Sequence, residues 1–243
     1  MRKLIIVQAR MGSSRLPGKV LKEVCGKTLL EHLIIRLRRV KQADSIVIAT
    51  TTREHDNQIV DLCNMLNIHY YRGSENDVLS RYYEASVKYG ADLIVRITSD
   101  CPLIDPYIVD KVISYYIGNK DQVDYVSNVL KRTFPKGMDV EVFSFSVLKE
   151  AYEEAKKDRE REHVTPFIKH KPEKYHLYNI EYAMDLSHYR LTVDTPEDME
   201  LIKNIFEVLY YEKPAFTMKD ILFVMENNAE WININSLAST KYK

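Results

Sequence analysis

Val7-Gln8-Ala9-Arg10-Met11-Gly12-Ser13-Ser14-Arg15-Leu16-Pro17-Gly18-Lys19-Val20-Leu21 is the stretch around which the chain is organised. It follows an apolar run of strand length, Leu4-Ile5-Ile6-Val7. It precedes a segment where Leu29, Leu30, Leu33, Ile34 and Leu37 recur with helical spacing. A strand, a loop of small residues and a helix, in that order, suit a polyphosphate. Small residues let backbone N–H groups approach a ligand closely, and Arg10, Arg15 and Lys19 supply positive charge. A basic surface loop is the plainer alternative. Five residues separate Gly12 from Gly18 and Val20 follows the lysine, so this is not a Walker A loop, which needs four residues there and a Ser or Thr for magnesium. It does not spell G-x-G-x-x-G either, so no dinucleotide cofactor is indicated. A phosphate loop without its own magnesium hydroxyl must find metal ligands elsewhere in the chain.

Outward from this loop, strands and helices alternate. Strands are expected at Lys3 to Gln8, Ser45 to Thr50, Ile68 to Tyr71 and Asp92 to Thr98. Helices are expected at Leu29 to Val40, Glu54 to Leu66, Asn76 to Tyr89 and Pro106 to Ile117. This rhythm predicts an α/β fold, a mostly parallel sheet sandwiched by helices. Right-handed crossovers then gather the strand ends, and any ligand, along one edge. The middle is less regular. Strands are expected at Asp124 to Asn128, Met138 to Phe143 and Tyr175 to Tyr182, with helices over Ser146 to Lys157 and Asp158 to His170. Arg190 to Val193 reads as a last short strand before a helix ending near Tyr210, and Met218 to Glu226 as a helix before a polar tail. No repeat or low-complexity linker interrupts the 243 residues, so 1–243 reads as one domain with a C-terminal helical tail over 211–243.

Charge and cysteine usage narrow the partners. The chain has 35 basic and 35 acidic residues, so no global field recruits nucleic acid or an anionic membrane surface; any anion site is local. Cys25, Cys63 and Cys101 are widely spaced, odd in number and form no C-x-x-C pair, which points to a reducing compartment. No apolar stretch approaches the ~18 residues of a membrane span, and no apolar signal segment precedes the first strand. A soluble, cytoplasmic protein is expected.

Two aspartates stand where strands end. Asp100 lies in Thr98-Ser99-Asp100-Cys101-Pro102-Leu103-Ile104. Asp194, 94 residues later, opens Asp194-Thr195-Pro196-Glu197-Asp198, a strong helix start in which either Asp194 or Thr195 is the N-cap. Each aspartate could be a turn or capping residue and nothing more. Together they could serve magnesium, which takes few protein ligands beside phosphate oxygens and water. Period-2 alternation puts Asp139 and Glu141 on one face of a strand, as substrate-binding acids or as a solvated face. The run from Lys156 to Thr165 reads as a solvated helix with (i, i+4) charge pairs.

Gln8-Ala9-Arg10 followed by Gly12-Ser13-Ser14-Arg15-Leu16-Pro17-Gly18-Lys19 resembles the signature loop of the sugar-activating nucleotidyltransferases. The nearest branch is the cytidylyltransferases that make CMP-sugar acids (the KDO and acylneuraminate type), and within it the spore-coat polysaccharide SpsF group. The resemblance extends to Asp100-Cys101-Pro102-Leu103-Ile104 and to Val193-Asp194-Thr195-Pro196-Glu197-Asp198, so it spans nearly the whole chain in the expected order. It implies a Rossmann-like nucleotide-diphospho-sugar transferase fold and a Mg2+-dependent transfer of CMP from CTP to a sugar acid, releasing pyrophosphate. It makes Asp100 and Asp194 the metal ligands. Arg15, Lys19 and the backbone of Gly12, Ser13 and Ser14 would hold the β- and γ-phosphates. Ala9, Arg10, Gly73, Ser74 and Arg81 would line the nucleotide site, Gly73 and Ser74 being alternatively a turn with a helix cap. It places sugar contacts near Asp139 and Glu141. A similar Arg-Glu-His-Val-Thr segment in the SpsF group makes Arg161 or His163 a candidate for the acceptor or for a second subunit.

The resemblance also implies that about 131–182 form a small β-containing arm around a second copy, giving a homodimer; a monomer with a β-extension over the sugar site is the alternative. Two other functions would use the same sheet: a glycosyltransferase with a nucleotide-sugar donor, and a non-catalytic nucleotide-binding protein. The first usually needs a compact Asp-x-Asp metal motif, and none lies on the ligand edge. Intact Asp100 and Asp194 speak against the second. The identity of the acceptor and of the base is left open.

Overall fold

The structure is a computed structural model, and it describes residues 1–236. In chain order the elements are β1 (Lys3–Gln8), β2 (Glu23–Val24), β3 (Lys27–Thr28), α1 (Leu29–Leu37), β4 (Ser45–Thr51), α2 (Asn57–Met65), β5 (His69–Gly73), α3 (Val78–Tyr89), β6 (Leu93–Thr98) and α4 (Pro106–Gly118). There follow β7 (Tyr125–Ser127), β8 (Glu141–Ser144), α5 (Phe145–Glu154), α6 (Asp158–His163), α7 (Pro166–Lys169), β9 (Leu177–Asn179), α8 (Pro196–Leu209), α9 (Met218–Asn227) and α10 (Trp231–Ile234). The part of the expected tail beyond residue 236 lies outside the described residues.

Seven strands form one sheet in the order β5-β4-β1-β6-β8-β7-β9. β1 pairs in parallel with β4 and β6, β4 with β5, and β7 with β9; only β8 runs against its neighbours. Leu4 to Val7 and Val47 to Ala49 are fully buried, as central strands covered on both faces must be. One apolar layer joins Ile5, Val7, Val95 and Ile97 to α1, α4, α8 and α9. The other joins Leu4, Ile6, Ala49 and Ile94 to α3 and α5. After β1 the chain builds outward through β4 and β5, then crosses to the other flank of β1 for β6. The crevice beyond the ends of β1 and β6 is therefore the switch point where such a sheet takes its ligand. Among the described residues no helix is long and apolar enough to cross a membrane.

Several expectations are corrected. Within residues 131–182, where a β-containing arm is expected, β8 and β9 join the main sheet and α5 packs on α3. The helix expected over Asp158 to His170 is two short helices, because the chain breaks at Val164 (φ 69°, ψ −58°) and restarts with Pro166 at the first position of α7. Arg190 to Val193 makes one isolated bridge, Arg190 with Lys136, instead of a strand. Its backbone is spent on two loops: Leu191 N–H donates to Lys136 O (2.8 Å) and Val193 N–H to Asp100 O (2.8 Å). Thr195, not Asp194, caps α8: its side chain accepts from Asp198 N–H, in a reciprocal capping box. Asp194 is thereby free of the capping role.

Candidate active site

The glycine-serine loop leaves β1 and is pinned along its length. Ala9 N–H donates to Ala49 O (3.1 Å), Met11 N–H to Asp56 Oδ1 (2.8 Å) and Gly18 N–H to Met11 O (3.1 Å). Gly18 sits at φ 67°, where a side chain is costly. Asp56 is fully buried just before α2 and also receives the Thr51 hydroxyl. It anchors the loop, yet in sequence it reads only as an acid near a helix start. The amides of Gly12 and Ser14 make no hydrogen bond within the described chain, while Ser13 N–H donates to Met11 O (2.9 Å).

A cleft of about 950 Å³ opens over this loop, at the ends of β1 and β6. Ala9, Arg10, Gly12, Ser13, Ser14, Arg15, Lys19, Arg81, Asp100 and His163, all expected at the site, line it. Gly73, Ser74, Asp139, Glu141 and Asp194 do not.

At the phosphate-loop end, Lys19 Nζ donates to Asp194 Oδ1 (2.8 Å) and to Val193 O (2.8 Å). Asp194 Oδ2 accepts from Arg190 (2.9 Å) and lies 3.5 Å from Arg15. Burial alone would raise the Asp194 carboxyl; the Lys19 charge and the hydrogen bonds from Lys19 and Arg190 outweigh it and hold the group below the ordinary carboxylate range. Asp100 differs. It faces the cleft, and its carboxylate meets no cation among the described residues, only the Cys101 thiol, which donates to Oδ1 (3.6 Å). No set of three or more His, Cys, Asp or Glu among the described residues could hold a metal by itself. One or two carboxylates completed by phosphate oxygens is the donor set magnesium usually takes, and Asp100 fits it directly. Asp194 fits it only if Lys19 and Arg15 turn from its oxygens to a phosphate.

On the opposite wall, Gly73 ends β5 with no room for a side chain: a Cβ there would lie 2.8 Å from Arg81 Cγ. Ser74 Oγ accepts from Asp77 N–H (3.2 Å), and Asp77 itself caps α3 by accepting from Ser80 N–H (2.9 Å). The turn is thus structural at Gly73 and Ser74, and the next residues, Glu75 to Val78, face the cleft. Arg81 is 2% exposed. It donates to Ala49 O (3.1 Å), has an unpartnered Nε and has no carboxylate at ion-pair distance among the described residues. Burial lowers its pKa. A buried guanidinium facing a cleft with no carboxylate in direct contact is poised for an anion.

The floor is Gln8 and Arg96, on neighbouring strands. Arg96 donates to Gln8 Oε1 (3.0 Å) and is ion-paired with Glu141 beneath it. Glu141 is 3% exposed and also accepts from Tyr125 (2.5 Å), Thr165 (2.8 Å) and Lys169 (3.1 Å). Burial would raise its carboxyl; Arg96, Lys169 and those hydroxyls outweigh it and bring it to about 2. Glu141 is therefore not a sugar contact on an open face but the support under Arg96. Asp139 precedes β8 and is held by both terminal guanidinium nitrogens of Arg132 (2.6 and 2.7 Å). The expected shared face fails because the strand begins only at Glu141.

The remaining wall is α6, whose Asp158, Arg161, Glu162 and His163 line the cleft. Arg161 is not open to an acceptor: it is bound to Asp77 and to Tyr152 O (2.7 Å). Nothing in the sequence marks Asp77 or Glu75 as site residues; Arg96 is marked only by its position two residues before Thr98, on the same strand face.

Residues 4–223 match the family model described as Cytidylyltransferase. The chain is 32% identical to the spore coat polysaccharide biosynthesis protein SpsF of Bacillus subtilis, over 93% of this chain and 95% of that one. It is 30% identical to a 3-deoxy-manno-octulosonate cytidylyltransferase of Chlamydia trachomatis, over 56% of this chain and 54% of the relative. A solved cytidylyltransferase structure from Leptospira borgpetersenii, 34% identical, superposes over 96% of this chain and 97% of that one with a TM-score of 0.92. These matches favour the nucleotidyltransferase reading over the glycosyltransferase one. On loop, cleft and likeness together, the chain belongs to the cytidylyltransferase family and is a nucleotidyltransferase.

Proposed function

We propose that the enzyme transfers CMP from CTP to a hydroxyl of a sugar acid, for the synthesis of a surface polysaccharide in the cytoplasm. The acceptor oxygen bonds to the α-phosphorus, the bond from that phosphorus to the bridging oxygen breaks, pyrophosphate leaves, and the hydroxyl proton passes to water. The observation that carries this is the junction of three distant segments at one end of the cleft: Lys19 donates to Val193 O and Asp194, and Val193 N–H donates to Asp100 O. It sets Lys19, Arg15 beside Asp194 and the cleft-facing Asp100 carboxylate where a triphosphate would meet them.

Lys19 and Arg15 would leave Asp194 for the β- and γ-phosphates, with the Gly12 and Ser14 amides completing the cradle. Arg10 and Arg81 would hold the nucleotide, and Glu162 and His163 the acceptor's hydroxyls. Asp100 would hold Mg2+, joined by Asp194 once released. When bound, that ion neutralises phosphate charge as pyrophosphate departs. Holding the reactants in line is the protein's remaining task.

The test is pyrophosphate release from CTP, UTP, dTTP, ATP and GTP with Mg2+, against sugar acids and sugar phosphates, with Asp100→Asn as blank. Release from CTP and a sugar acid alone is the expected result; release only with sugar phosphates, or only from another nucleotide, would overturn the substrate assignment. A homodimer is part of the proposal. The edge of β9, which pairs with no further strand among the described residues and where Tyr178 is 40% exposed and stacks on Tyr115 (centroids 4.0 Å), supports it. A solution mass of one chain would refute it.

A further inference from the structure

Helix α6 walls the cleft although it buries none of its own residues. It is six residues long and ends on Val164, at φ 69° and ψ −58°. Thr165 N–H donates to His163 O (2.8 Å), closing a three-residue turn around Val164. That is the rare, strained form of γ-turn, and a β-branched residue at positive φ is a marked outlier. Such backbone persists only where its surroundings over-determine it. Two anchors do so here. Below the turn, Thr165 is fully buried and donates to Glu141, the same carboxylate that supports Arg96. Above it, Arg161 grips Asp77 through Nε (3.0 Å) and Nη2, and also donates to Tyr152 O.

Asp77 is a divided residue. Its Oδ1 caps α3 while its Oδ2 takes Arg161, and its neighbours Glu75, Asn76 and Val78 line the nucleotide wall. The two residues lie 84 positions apart, with side chains 22% and 29% exposed, at the rim where both walls meet. We propose that the Asp77–Arg161 ion pair couples the two walls, so that nucleotide held against residues 75–81 sets the acceptor-facing surface of residues 158–163. Arg161 is on this account a positioning residue, acting through the helix it holds. The inference rests on the nucleotide occupying that wall.

The test is amide hydrogen exchange on the full-length protein with and without CTP, in the absence of acceptor. In the wild type, CTP slows exchange at residues 9–19, 75–81 and 158–165. In Arg161→Met the segment 158–165 exchanges about tenfold faster and no longer responds to CTP, while 9–19 and 75–81 still do. Arg161→Lys, which restores a charge to Asp77, recovers part of the response, and Asp77→Asn reproduces the loss. In turnover the same variants raise the KM for the acceptor about tenfold and that for CTP far less. A CTP response at 158–165 undiminished in Arg161→Met overturns the coupling, as does a wild type in which CTP protects 9–19 but not 158–165. Absence of any CTP effect in the wild type overturns the nucleotide reading and the coupling with it. CTP-dependent protection without pyrophosphate release leaves the coupling standing and overturns the proposed reaction.

Discussion

Lys19 and Asp194, 175 positions apart, form an ion pair at 2.8 Å, and the lysine bonds the carbonyl just before its partner as well. The phosphate loop and the α8 junction are thus held together by charges that a triphosphate would compete for. Lys19→Met removes the competition along with the phosphate contact. Its kcat/KM for CTP should fall by roughly 10²–10³, the loss typical of one preorganised charge on a reacting oxyanion. Steady-state kinetics check this; a fall below tenfold would mean Lys19 is a structural tie.

Asp100 has no such partner. Because no cation depends on it among the described residues, Asp100→Asn should leave the melting temperature within about 2 °C, a change of no more than about 1 kcal/mol. Pyrophosphate release should nevertheless drop by two or more powers of ten, on the order of 3 kcal/mol of barrier. Raising Mg2+ should not restore it. Rescue by excess Mg2+ would show that other donors hold the ion.

The parallel half of the sheet was legible because Leu4 to Val7, Ile46 to Ala49 and Leu93 to Ile97 are apolar runs separated by helical periodicity, which is local information. Asp100 is legible by the same logic, as the end of a strand on the ligand edge. Asp194 is legible by motif and the Thr195–Asp198 capping box is local; the contact of Asp194 to Lys19, far away in sequence, is not. Glu141 shows the limit of alternation. Period 2 tells which residues share a face, not that β8 would pair antiparallel to β6 and turn Glu141 under Arg96. The hairpin β2–β3 escaped altogether. Its strands are two residues each, and its turn is set by positive φ at Cys25 (49°) and Gly26 (73°), for which only Gly26 is a sequence signal.

Gly137 sustains the position of Asp194 from the other side. At φ 101°, a Cβ there would lie 2.6 Å from Leu191 O, in the segment that leads directly into Val193 and Asp194. The obstacle is backbone, which cannot swing aside. Gly137→Ala should destabilise the fold by about 2–4 kcal/mol, since both strain and overpacking apply. Urea unfolding measures it, and a cost below about 1 kcal/mol would mean the loop 134–138 relaxes freely.

Glu141 gives a pH-dependent prediction. Its carboxyl is about 2 when folded, against roughly 4.3 in an unfolded chain. A depressed carboxyl contributes stability that is complete above the unfolded value and is lost as the pH falls toward the folded one. Glu141→Gln leaves Arg96 and Lys169 without their counter-charge and should cost about 3–5 kcal/mol at neutral pH. The variant has no proton to take up there, so the gap to wild type should narrow as the pH is lowered from about 4.5 to 2, by on the order of 3 kcal/mol. Urea unfolding of both proteins across that window is the measurement. A gap that stays constant would mean Glu141 already carries a proton in the folded protein, and that Arg96 is held in the cleft floor by hydrogen bonds without an opposing charge.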